Sequence, residues 1–132
     1  MRQPQDPSSG TKSTRLRASY FQFAALVFAI GAIVHGVALL RAEHALFHAA
    51  FVVVDSATSW LLLLRPSWFR YAFLLLTAEQ IVAHGMQFLA AAHDDRFDLV
   101  SLFIVVFVPS TAALLFADGH TSAGRQRASD LP

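Results

Sequence analysis

Apolar residues run through this chain in four blocks, each about as long as a membrane is thick, separated by short polar breaks. The blocks cover 20–40, 44–64, 70–92 and 98–117. A helix rises about 1.5 Å per residue and a bilayer core is about 30 Å thick, so about 20 apolar residues make one crossing. The pattern predicts an all-α membrane protein, a four-transmembrane-helix antiparallel bundle. Residues 1–19 and 118–132 are polar, rich in Ser, Gly and Arg, and are expected to be disordered tails.

The breaks carry their own chemistry. Arg41, Ala42 and Glu43 leave room only for a tight turn, so the second helix should return alongside the first. Pro66 disfavours helix at Arg65, and Trp60 and Trp68 flank that end as interfacial aromatics do. His93, Asp94, Asp95, Arg96 and Asp98 form an acidic loop, and Pro109 is expected to bend the fourth helix.

Within the blocks the polar residues are patterned as well. At about 100° per residue, His44, His48, Phe51 and Asp55 fall in a stripe about 60° wide. Thr77, Gln80, His84 and Gln87 repeat at helical spacing on the third helix. Burying such groups among apolar neighbours costs several kcal/mol unless each finds a partner. Both stripes are therefore expected to face inward. In the first helix, Ala25, Ala29, Ala32 and Gly36 form a small-residue face that lets a neighbour approach closely.

Composition agrees with the pattern: 55% of the residues are hydrophobic and 14% charged, against about a quarter charged in soluble domains. There is no cysteine, which excludes disulfides, thiolate metal sites and cysteine nucleophiles. A net charge of +1 with no basic patch gives no case for nucleic acid. Arginine and lysine concentrate at Arg2, Lys12, Arg15 and Arg17, at Arg65 and Arg70, and at Arg125 and Arg127; the other two loops hold Arg41 and Arg96. By the positive-inside rule both termini are cytoplasmic, and the setting that fits is a bacterial inner membrane.

With that orientation, His35 and His48 lie about 10 Å below the outer boundary and His84 about 13 Å, while His44 sits at the rim. Asp55, Glu79 and Gln80 come out about 20 Å down. His35, His44, His48 and His84 are thus candidate metal ligands, since imidazoles at i and i+4 or on facing helices can share a divalent ion or ligate haem axially. Gln80 and Gln87 can orient such a group through their amides, and Asp55 and Glu79 are candidate acids or bases, because carboxylates at mid-membrane depth mark ion paths or reactions. Glu79 lies about 100° round from Gln80 and is expected off the seam.

Three functions follow from this set. The first is metal or haem binding for redox chemistry or electron transfer. The second is a cofactor-free acid/base enzyme, an isomerase or cyclase, acting on an apolar lipid-phase substrate through Asp55 or Glu79. The third is a proton- or cation-coupled transport or accessory subunit. The partners expected are the lipid bilayer and a second copy or a partner membrane subunit. The serine hydrolase, P-loop, dinucleotide and zinc-protease motifs are absent.

Overall fold

The computed structural model of the protein describes residues 8–41 and 44–129, with side chains described over 14–41 and 44–119. It contains four helices, α1 (Ser8–Leu39), α2 (Ala45–Leu64), α3 (Phe69–His93) and α4 (Leu99–Ser129), and no strand among the described residues. Each helix includes a stretch long and apolar enough to cross a membrane: Thr14–Leu39, Ala45–Leu64, Phe69–His93 and Leu99–Gly119. That is the make-up of a multi-pass integral membrane protein.

The two outer helices are longer than their apolar blocks. α1 begins at Ser8 instead of near residue 20, and α4 continues to Ser129 instead of ending near 117. No proline interrupts either extension, and a helix once nucleated adds residues at little cost. The parts of the expected tails at 1–7 and 130–132, and Ala42 and Glu43 of the first turn, lie outside the described residues. α4 runs through Pro109 without a break in its helical assignment.

The helices pair as two hairpins, α1 with α2 and α3 with α4, and each hairpin is a compact unit. In the first, Ser59 Oγ donates to the Ala25 carbonyl, Asp55 packs on Gly31 and His48 meets His35, so residue numbers rise on one helix as they fall on the other. In the second, Arg65 pairs with Asp118, Tyr71 with Phe116 and His84 with Ser101, again antiparallel.

Burial follows the expected faces in part: Asp55, Thr77 and Gln80 are buried and His48, Phe51 and His84 half-buried, while His44 and Gln87, at the ends of the two stripes, are exposed. Asp55, Thr58 and Leu62 are the buried residues of α2, one helical stripe that continues from His48 and Phe51. On α1 the buried set is Phe21, Ala24, Ala25 and Phe28. On α3 it is Phe69, Phe73, Thr77 and Gln80, and on α4 it includes Ser101, Val108, Thr111 and Leu115.

Local chemistry sets where each helix stops. Arg65 follows α2 with a φ of 50°, the left-handed conformation that ends a helix, and Pro66 beyond it has no N–H with which to continue. At the end of α3, the Arg96 amide reaches the Ala91 carbonyl at 2.8 Å and the Asp95 amide reaches Ala92 at 3.2 Å. This is a Schellman closure with Asp95, φ 52°, in the position usually held by glycine. Asp98 then caps α4, accepting from the Val100 and Ser101 amides at 3.1 and 3.0 Å.

Candidate functional site

The first hairpin brings together two of the histidines singled out from sequence. His35 Nδ1 and His48 Nδ1 are 3.0 Å apart, within hydrogen-bonding distance. A bond between two imidazole nitrogens requires one to carry a proton and the other a lone pair, so the pair holds a single shared N–H between the helices. Phe51, one turn further along α2, stacks on His35 with ring centroids 4.9 Å apart and planes 24° from parallel. Phe47 lies against both His48 and Phe51. The pair is half-buried and packed on one side by aromatic rings.

Asp55 lies two turns beyond His48 on the same face of α2 and is 8% exposed. Its carboxylate rests on α1 at Gly31, where a Cβ would come within 2.8 Å of Oδ2. Gly31 is what lets a carboxylate sit between two helices here, since any side chain would occupy its place. Ser59, one turn further, donates to the Ala25 carbonyl at 2.8 Å. The hairpin interface is thus a file of polar groups, His48 with His35, then Asp55, then Ser59, each pressed against α1.

His44 does not join the pair. It is exposed at the mouth of the hairpin, where with Val34, Val37, Ala38, Arg41 and His48 it lines an open groove of about 480 Å³. Among the described residues no three His, Asp or Glu side chains are grouped as a metal site.

The second hairpin organises its polar residues differently. Ser101 is 1% exposed and sits at the centre of a cluster. Its hydroxyl is 2.6 Å from Asp98 Oδ2, 3.3 Å from Gln87 Oε1 and 3.3 Å from His84 Nδ1. One hydroxyl has one proton, and the short, charge-assisted contact to Asp98 takes it. The serine oxygen then accepts from His84. With its proton held by a carboxylate and its oxygen buried, Ser101 is the hub of this cluster. The Ser101 hydroxyl and amide, the Val100 amide and nearby His84 hold Asp98 below the ordinary carboxylate range, against an opposing desolvation.

The rest of the α3 seam is satisfied at short range. Thr77 Oγ1 donates back to the Phe73 carbonyl, four residues earlier. Gln80 Nε2 donates to Glu79 Oε2 at 2.7 Å, so these two meet although their positions lie about 100° apart around the helix, because both side chains are long enough to bend toward each other. Glu79 is exposed and Gln80 buried. At the opposite end of the hairpin, the Arg70 guanidinium lies over the Tyr71 ring at 4.9 Å and the Phe116 ring at 5.9 Å, beside Arg65 paired to Asp118 at 3.3 Å.

The sequence points to His35, His44, His48, Asp55, Glu79, Gln80, His84 and Gln87. It assigns no site role to Gly31, Ser101 or Asp98, the last appearing only as part of the acidic loop. The pattern Asp98-x-x-Ser101 at the head of an apolar block was the available signal for the last two, being a helix-capping arrangement. Comparison with known protein families, characterised proteins and solved structures finds no match to this chain.

Proposed function

We propose that this is an integral membrane protein that takes up and passes protons through its first hairpin, as a proton-coupled transport or accessory subunit, with both termini on the cytoplasmic side of a bacterial inner membrane. The observation that carries the reading is the contact between His35 and His48. The ring that donates Nδ1–H keeps a free Nε2 that can take up a proton; the shared proton can then cross to the partner ring's Nδ1 and that ring can release its Nε2 proton, so one proton enters as one leaves. The groove at His44 gives the pair a route to the membrane rim, and Asp55 is the next ionisable group along the same face. Histidine and carboxylate in file inside apolar helices form the chemistry of a proton relay.

The test is proton flux into proteoliposomes under an imposed potassium diffusion potential, read with an entrapped pH dye. Wild-type protein should acidify the lumen faster than empty liposomes, and His48→Phe should abolish the excess. His84→Phe, which alters the other hairpin, should keep it. A wild-type rate equal to that of empty liposomes would refute the proposal.

One measurement favours a second reading. Two nitrogens 3.0 Å apart are spaced as two neighbouring ligands are on a metal ion at about 2.0–2.1 Å. A divalent ion replacing the shared proton would convert the pair into a two-histidine clip, and His44 or water would supply further ligands. Haem on this pair fits poorly, since rings in direct contact leave no space for a macrocycle between them. Titration of the same preparation with zinc, followed by calorimetry, separates the two readings.

A further inference from the structure

The groove at the mouth of the first hairpin has a composition that the proton relay does not account for. Its floor is Val34, Val37 and Ala38, at i, i+3 and i+4 on α1, a single apolar strip along one helical face. Its rim is Arg41, in the turn after α1, with His44 and His48 from α2. Among the described residues no carboxylate lines it and none lies within ion-pair distance of Arg41. Both helices that form it end here, so the groove opens at the level where a bilayer's hydrocarbon meets its headgroups.

We infer that this groove binds the headgroup of a long-chain carboxylate drawn from the adjacent leaflet, with the carboxylate on Arg41 and His44 and the chain lying on Val34, Val37 and Ala38. Charge complementarity selects an anion, because guanidinium is always charged and the imidazoles can add a donor or a positive charge but no negative charge. Its planar fork matches a carboxylate with two parallel hydrogen bonds. The apolar strip is one helical face wide, which suits one acyl chain better than the two of a phospholipid. A volume of about 480 Å³ is within the usual range for small-molecule sites.

This inference shares His48 with the relay but does not depend on it. Binding is measured at equilibrium in neutral detergent with no proton gradient, so a failed flux assay leaves it standing. The probes are radiolabelled oleate, oleyl alcohol and dioleoyl phosphatidate added to the full chain. Oleate should bind saturably and the alcohol should not. Arg41→Gln should weaken oleate by about tenfold or more, the loss expected for one charged hydrogen-bonded partner. His44→Gln should weaken it by less, and Arg96→Gln, in the other hairpin, should leave it unchanged. Thermal unfolding of each variant establishes that it is folded before binding is read. Equal binding of alcohol and oleate, or undiminished binding by folded Arg41→Gln and His44→Gln, would overturn the assignment. Binding of phosphatidate without oleate would overturn it in favour of a phosphate headgroup.

Discussion

The two hairpins place similar polar residues in opposite ways. In the first, the ionisable groups lie within the span, with His35 against His48 and Asp55 against a bare glycine. In the second, Arg65 with Asp118 and Asp98 capping α4 sit at the two ends, Glu79 and His84 lie within α3 but are held by Gln80 and Ser101 of the same hairpin, and Thr77 and Thr111 bond to their own helix backbones. A charge at a helix end is hydrated and supported by backbone amides, so it stabilises at low cost. An ionisable group held mid-span is costly, and a fold keeps it there for a purpose other than stability. On the proposed relay, the first hairpin is the working half and the second its structural counterpart.

Breaking the close approach in the first hairpin should have the largest effect. Gly31→Val places a branched side chain where Asp55 Oδ2 now rests, and overpacking of this kind costs about 1–3 kcal/mol. The same change in an Asp55→Ala background should cost much less, because the carboxylate it collides with is gone. Denaturant unfolding in mixed micelles measures both. Equal losses in the two backgrounds would show that Asp55 does not occupy that space.

In the second hairpin, Ser101→Ala should cost about 1–2 kcal/mol, as expected when buried partners lose a shared hydrogen bond, with no effect on proton flux. A loss of flux in a folded Ser101→Ala protein would erase the division of labour between the hairpins.

The smallest expected effect is on pH dependence. Asp98 is held below its ordinary range when folded, so its contribution to stability is complete above about pH 4, the unfolded carboxylate value, and is lost as pH falls through the lower folded-state value. Unfolding temperature should therefore decline on the acid side, and Asp98→Asn, which still caps the helix, should decline less. An identical acid limb in the variant would assign that loss to other carboxylates.

Much of this molecule was legible from the order of its residues. Apolar blocks long enough to cross a bilayer determine four helices, because a backbone in hydrocarbon must satisfy its own hydrogen bonds. The stripe from His48 through Asp55 determines which face of α2 is turned inward, since helical period and burial cost leave one arrangement open. Helix ends were less legible, as α1 and α4 run past their apolar limits where nothing in the sequence stops them. Only the packing of one helix on another decided which polar groups meet. Residue spacing gives angle and depth but not register, and a shift of one residue along either helix would separate His35 from His48. Register in the first hairpin rests on the glycine that admits Asp55, and in the second on a serine that gathers His84, Gln87 and Asp98. Such small residues make no hydrophobic signal of their own, and their role exists only where a second helix comes close.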